Sequence, residues 1–330
     1  MRQLQKDYTM KKDKFILFLN ELKLSNEKID NAIDDVNNYE QYLNDNDLKL
    51  ENLSYDDFFK YSEYLISINK NNYETYLNLY QYGSHNKING LIIGTLEVID
   101  GCEVIDNLSK KVRATFGKKF QEKLFDGVEI PPLGLHPSKK PETTKKLVSR
   151  MESEIGEDKC ARFFNQCMRK KYSDNFEDNK KFKKIKNIDE FLKEKHKEFV
   201  KSMEQHMNEG RLWFTQEIDA DVLAYYKSRQ VVSIGVRIGN HIYIEKTPYN
   251  TKQYLKETDL KLKKYYFCHC PWVREGLLKS DKPVPPVFCN CSAGFHKRYW
   301  ENLFECPVEM EVEKSILNGD LVCVFKMKIP

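Results

Sequence analysis

The chain predicts an α+β protein, an N-terminal helical bundle followed by an α+β domain with an antiparallel sheet. Three observations carry this. Apolar residues recur at helical spacing over the first quarter, with Phe15, Phe18, Leu19 and Leu22 on one face, then Ile29, Ile33 and Val36. Near the C-terminus the period falls to two, around turns at Gly239-Asn240 and Asn318-Gly319-Asp320. Charge is also partitioned: residues 1–106 hold 11 Lys/Arg against 19 Asp/Glu, residues 107–201 hold 25 against 15, and residues 202–330 hold 18 against 16. The 330 residues exceed one ordinary domain. We expect a helical module at 1–125, a linker at 126–141 and a Cys-rich α+β domain at 142–330.

Ser25, with Lys28 three residues on, marks one helix start. Ser54 before Asp56 and Asp57 marks a better one, because its hydroxyl accepts an orphan amide proton while the acids oppose the helix dipole. Three or four short helices follow. Asn107 to Phe125 reads as a basic helix, and Gly127, Pro131, Pro132, Gly134, Pro137 and Pro141 then interrupt regular structure. Lys145 to Lys171 and Ile188 to Met207 have helical spacing. The Lys-rich stretch Lys180 to Lys186 between them reads as a solvated loop, since Asp174, Glu177, Asp178 and Asp189 flank it. Tyr172, Phe176 and Phe182 give little of the aromatic interleaving that single-strand stacking needs.

In the last third, Val231 to Ile238 and His241 to Ile244 form a predicted hairpin. Tyr265 to Cys270 and Val287 to Cys291 read as two further strands. Gly294 to Phe304 reads as a helix burying Phe295, Tyr299, Leu303 and Phe304. A closing hairpin pairs Val308, Met310 and Val312 with Cys323, Phe325 and Met327.

The densest chemistry is Cys268-His269-Cys270 and Cys289-Asn290-Cys291, followed by His296. On strands, residues two apart share a face at roughly 6.6 Å, so two such strands gather four sulfurs. Cys268, Cys270, Cys289 and Cys291 are therefore the expected metal ligands, for zinc first and an iron–sulfur cluster second, with Cys160 or Cys167 able to join or replace one. The competing reading is that these thiols are small apolar core residues. Cys160 and Cys167, seven apart on one helix face, read as core, and Cys102, Cys306 and Cys323 as structural. His269 would point away from the cluster, and His296 could approach it. Trp272, Arg274, His296 and Trp300 are the expected walls and polar anchors of a ligand pocket. No phosphate loop, serine elbow or His-Glu-x-x-His motif is present.

Two stretches carry resemblances. Phe18-Leu19-Asn20-Glu21-Leu22, Tyr42-Leu43 and Leu53 to Phe58 resemble the core-binding helical domain of tyrosine recombinases, which implies DNA binding. The acidic balance of this part opposes that, and a protein–protein or dimerisation role competes. Cys291-Ser292-Ala293-Gly294, Tyr299-Trp300-Glu301, Gly319-Asp320 and Cys323-Val324-Phe325 are similar to the end of 4-vinyl reductase-type domains, which implies a small-molecule-binding α+β module. With Cys268 to Trp272 added, the likeness extends to an uncharacterised bacterial family with a double Cys-x-Cys. A looser one is to L-2-amino-thiazoline-4-carboxylic acid hydrolases.

Three functions are thus open. One is a sensor or accessory protein binding a small apolar or aromatic ligand, with a cysteine-held metal. The second is a hydrolase of a cyclic C–N bond using a thiolate or metal-activated water. The third is a DNA-associated protein. The longest apolar runs are far too short for a membrane span, and the N-terminus does not read as a signal peptide, so a cytoplasmic address with reduced thiols is expected.

Overall fold

The computed structural model describes residues 2–50, 53–170, 176–279 and 283–330, so Tyr172 and Asp174 lie outside the described residues. The chain divides into two compact units, Met1–Cys102 with Pro131–Pro137, and Glu103–Ile130 with Ser138–Pro330. The expected helical module and linker are therefore partitioned differently: residues 103–125 belong to the second unit, and the proline-rich stretch is shared.

The first unit holds helices α1 (Arg2–Glu21), α2 (Asn26–Asp45), α3 (Tyr55–Ser67), α4 (Tyr73–Asn86) and α5 (Asn89–Ile99). Both predicted starts are real caps. Ser25 accepts the Lys28 amide, and Ser54 forms a reciprocal capping box with Asp57. The core is rich in aromatics, with Phe15, Tyr39, Phe58, Tyr61, Tyr76 and Tyr82 buried. Position 94 has to be glycine for α5 to lie on α3, because a Cβ there would stand 2.3 Å from the Phe58 ring. Residues 131–137 count with this unit because Ser62 Oγ donates to the Gly134 carbonyl at 2.7 Å and Asn71 Nδ2 to that of Leu133 at 2.8 Å.

The second unit begins with α6 (Val104–Phe116), α7 (Lys118–Phe125), α8 (Lys140–Ile155) and α9 (Glu157–Phe164). The predicted single helices break at Gly117 and Gly156. Then come α10 (Phe176–Ile185), α11 (Ile188–Glu209), α12 (Ala220–Ser228), strands β1 (Val236–Ile238) and β2 (His241–Glu245), and helices α13 (Thr251–Lys256), α14 (Leu260–Phe267) and α15 (Gly276–Lys279). Helix α16 (Asn290–Phe304) and strands β3 (Met310–Lys314) and β4 (Val324–Lys328) complete it. All strand pairs are antiparallel, in the order β1-β2-β4-β3. Ile242 and Ile244 of β2 and Phe325 and Met327 of β4 alternate onto one face, as the period-two pattern requires. That face shares a core with Trp300 and Leu303 of α16 and Phe191 and Leu192 of α11.

Three expectations change. The Cys-x-Cys pairs are not on strands: Cys268 caps the C-terminus of α14, and a 3-10 turn at Pro286–Cys289 leads directly into α16. Pro286 cannot donate to a strand ladder but suits a helical first turn, which explains the second case. The Lys-rich stretch is helix α10, whose lysines meet acids, as in Lys183 with Glu305 at 2.6 Å and the pairing of Lys181 with Glu198. Finally, α9 ends at Phe164, so Cys160 and Cys167 do not share a helix.

A candidate thiol recess and its adjoining cavity

Cys167 follows α9 in a left-handed backbone conformation, φ +61°, which costs a non-glycine residue roughly 1–3 kcal/mol. Tertiary packing holds it there. Helix α16 carries Cys291 in its first turn and Gly294 one turn later on the same side. A Cβ on Gly294 would lie 2.3 Å from the Asn165 carbonyl oxygen and 2.8 Å from the Cys167 nitrogen. The missing side chain lets α16 press on the 165–167 loop and brings Cys291 into hydrogen bonding with Cys167. Asn165 Nδ2, donating to the Met310 carbonyl at 2.9 Å, ties the loop to β3.

Both sulfurs also accept backbone amides, Cys167 from Arg169 at 3.3 Å and Cys291 from Met168 at 3.4 Å. The Cys291 thiol donates to Cys167, which lowers the Cys167 pKa and raises that of Cys291, so one proton serves two sulfurs. Burial opposes the shift at Cys167, while Arg298 and Arg169 assist it.

The other thiols of the predicted set lie in the same neighbourhood. Cys268 accepts the Cys270 amide, Cys270 accepts the Trp272 amide, and the Ser315 hydroxyl bonds the Cys289 sulfur. Burial pushes Cys268 and Cys270 up to about 11 and Cys289 well above the ordinary thiol value. Cys323, read from the sequence as structural, joins them: it accepts the Ile316 amide and acts electrostatically on Cys268 and Cys289. Deep as they are, Cys270, Cys289 and Cys323 keep part of their accessible surface. They pack at the edge of the apolar core that also buries Cys167, Cys268 and Cys291.

Cations and two neutral imidazoles complete the setting. Lys246, donating to Ser292 Oγ at 3.1 Å, acts on Cys268, Cys270 and Cys323. Burial, then Lys246 and Arg169, hold His296 down at about 3; burial and Lys246 likewise keep His269 neutral. His296 packs on Phe325 at 4.9 Å between ring centroids and His269 on Tyr249 at 5.4 Å. Among the described residues no three His, Cys, Asp or Glu side chains are placed to hold a metal ion. The four-sulfur zinc set expected from strands is thus not assembled around one point, because its carrier segments are a helix end and a helix start.

His296 also lines a cavity of about 620 Å³. Ile234, Ile244, Phe199, Phe295 and Trp300 form its apolar walls. At its polar side Lys195 bridges Asp178 at 2.8 Å and Glu198 at 2.7 Å, and the Tyr299 hydroxyl donates to Asp178 at 2.9 Å. Of the four predicted pocket residues, His296 and Trp300 line this space and Trp272 and Arg274 do not. Arg274 instead stacks over Tyr249 at 3.8 Å, and Trp272 is core, with Lys140 Nζ 5.6 Å from its ring centroid. Burial of their side chains against neighbouring helices, rather than a shared opening, accounts for their position.

Sequence reasoning favoured a core role for Cys167 while allowing it to join the ligands, and it did not place Cys323 at the site. The basic run Arg169-Lys170-Lys171 beside Cys167 was a usable signal, since cations beside a thiol favour thiolate; nothing local marked Cys323.

Residues 237–330 match a family of unknown function (DUF6144). The matched stretch includes both Cys-x-Cys pairs, Cys323, His269 and His296, and excludes Cys167 and the acidic side of the cavity. No curated protein and no solved structure matches the chain.

Proposed function

We propose that the second unit binds a small molecule in the cavity beside His296 and Trp300, and that the chain acts as a sensor or accessory protein for that ligand. The supporting observation is the cavity's composition: about 620 Å³ with apolar walls on one side and an ion-paired side on the other. Pockets of this size and make-up bury most of a small ligand, and their few polar groups set its orientation. Asp178 and Glu198 are balanced by Lys195 together with Lys181, which also pairs with Glu198, so they orient a hydroxyl or amine without carrying an uncompensated charge. The ligand class that fits has a flat apolar body, to lie along Phe295 and Trp300, and one polar end. His296, neutral by burial, offers that end one donor and one acceptor.

The test is a thermal-shift and tryptophan-fluorescence panel of aromatic and alicyclic amines, alcohols and acids, run on the full chain and on Ile234→Trp, which fills the cavity. Saturable binding by the parent and none by the folded Ile234→Trp protein is the expected result. Equal binding by both would sink the reading, as would a panel without a single binder.

A further inference from the structure

The charges on the cavity wall narrow the chemistry of its ligand. Lys170, Lys195 and Arg298 line the space against two acids, Asp178 and Glu198. Both acids are already matched. Lys195 lies 2.8 Å from Asp178 and 2.7 Å from Glu198, Lys181 also pairs with Glu198, and the Tyr299 hydroxyl donates to Asp178. Lys195 is thus taken up by its own neighbours and is a poor anchor for a ligand.

Arg298 is placed differently. Its Nη1 donates to the Arg169 carbonyl at 2.8 Å, and among the described residues no carboxylate pairs with its guanidinium. Glu301, the acid at helical spacing from it, lies instead with Lys297 at 3.5 Å. The Cys167 sulfur feels the Arg298 charge through space, but takes its hydrogen bonds from Cys291 and the Arg169 amide. Nor is the rest of the fork sealed in the core, as Nε of Arg229 is: the nitrogens not bonded to the Arg169 carbonyl keep accessible surface. An open, oriented guanidinium therefore stands at the wall.

Its surroundings suit an apolar acid. Gly294 and Arg298, four apart, share the face of α16 turned to the loop after α9, so the Arg169 carbonyl fixes the fork from that side. Residues three apart are neighbours on a helix surface, so Phe295 and Arg298 set an aromatic wall and a cation side by side.

Ser233 adds a donor. It lines the same cavity in a left-handed conformation, φ +77°, which a non-glycine residue keeps only where its surroundings impose it. Here they do. The Ser233 amide donates to the Glu245 carbonyl at 2.9 Å and the Glu245 amide to that of Val231 at 2.8 Å. Gly235 then passes so close to β2 that a Cβ on it would lie 2.8 Å from the Tyr243 carbonyl oxygen. The hydroxyl held at the wall by this turn has no partner among the described residues.

We propose that the ligand is a carboxylic acid with a ring-sized apolar body, its carboxylate held by the Arg298 guanidinium and the Ser233 hydroxyl. The inference rests on the reading that the cavity binds a small molecule, and it names the polar end. A planar carboxylate matches the guanidinium fork, and its single negative charge answers Arg298. An amine adds a like charge beside Arg298, and an alcohol leaves the cation unanswered.

The experiment titrates the full chain with benzoic, phenylacetic and naphthylacetic acids, each beside its primary amide and its alcohol, by tryptophan emission and calorimetry. The acids are expected to bind the parent roughly tenfold or more tightly than their neutral counterparts, and added salt to weaken the acids alone. Arg298→Gln, which keeps a donor for the Arg169 carbonyl, is expected to level acid and amide. Arg298→Lys should retain part of the preference, and Ser233→Ala should lower it by less than Arg298→Gln. Circular dichroism confirms the fold of each variant, and the comparison of acid with amide on the parent needs no variant. Equal binding of acid, amide and alcohol by the parent overturns the inference and leaves the cavity reading standing, as does a folded Arg298→Gln that keeps the acid preference. Acid binding that survives Ile234→Trp places the acid outside the cavity and overturns it as well. Binding by no member of the set sinks the inference together with the reading it rests on.

Discussion

The two units share one way of burying polar groups and differ in what else they bury. In the first, Tyr82 donates to Glu40 at 2.7 Å, and Tyr76 shares a hydrogen bond with Ser62 at 2.7 Å, while the buried Tyr39 hydroxyl has no partner among the described residues. Burial raises the Tyr76 phenol to about 12, so it stays neutral and pins α3 to α4. The second unit has such a pair too, Tyr226 with Thr251 at 2.6 Å, but adds a group of buried cysteine sulfurs and a larger cavity. The bundle has its own smaller hollow, about 400 Å³ between α2 and α3, but no group of cysteines. That contrast is the ground on which the proposed binding chemistry is placed in the second unit.

The comparison can be broken by substitution. All three tryptophans, Trp213, Trp272 and Trp300, lie in the second unit, so tryptophan emission follows that unit while helical dichroism follows both. The largest effect is expected for Trp300→Ala, which removes the ring joining α16 to the sheet core. The loss should be about 3–5 kcal/mol, seen as an emission transition at lower urea, and an unchanged transition would refute the assigned core. Next come the two close-packed glycines. Alanine at an ordinary helix position stabilises, but Gly94→Ala meets the Phe58 ring and Gly294→Ala meets the Asn165 backbone, so each should cost about 1–3 kcal/mol. Gly294→Ala should move the emission transition and Gly94→Ala only the dichroism transition. A gain in stability from either would contradict the packing.

Smaller effects sharpen the first unit's side of the comparison. Ser54→Ala removes one half of the α3 capping box and should cost about 1 kcal/mol in urea denaturation. Hydrogen bonds from Ser54 and then Lys60 hold the Asp57 carboxyl below its ordinary value of 3.8. A carboxylate with a lowered folded pKa stabilises fully above its unfolded pKa and loses that contribution as pH falls through the folded one. The parent should therefore lose this small increment below about pH 4, and Asp57→Asn should show a flatter stability profile there. A steeper acid loss in the variant would reverse the assignment.

How much was readable in advance follows the same division. Helical periodicity and the Ser25 and Ser54 caps located α2 and α3, because caps and spacing are local chemistry. Gly239-Asn240 and Gly319 located the hairpins for the same reason. The cysteine pairs were placed on the wrong elements, because residues two apart converge equally well at a helix end and on a strand, and Pro286 was the local cue for the helical choice. Cys167 was read first as core and only as an optional ligand because its left-handed backbone is imposed by Gly294, 127 positions away in the chain. Lysines 180–186 read as a loop because their partners Glu198 and Glu305 lie on other elements. His296 and Trp300 were recovered for the cavity since both fall on α16. Its acidic side, from α10 and α11, had no signature in spacing.

The most direct test of this division of labour is hydrogen–deuterium exchange on the full chain with and without the tightest binder of the amine, alcohol and acid panel. The predicted result is slowed exchange confined to the cavity segments 178–202, 233–244 and 295–302, with residues 14–99 unchanged. Protection arising in the bundle, or spread evenly over both units, would contradict the placing of the ligand site in the second unit.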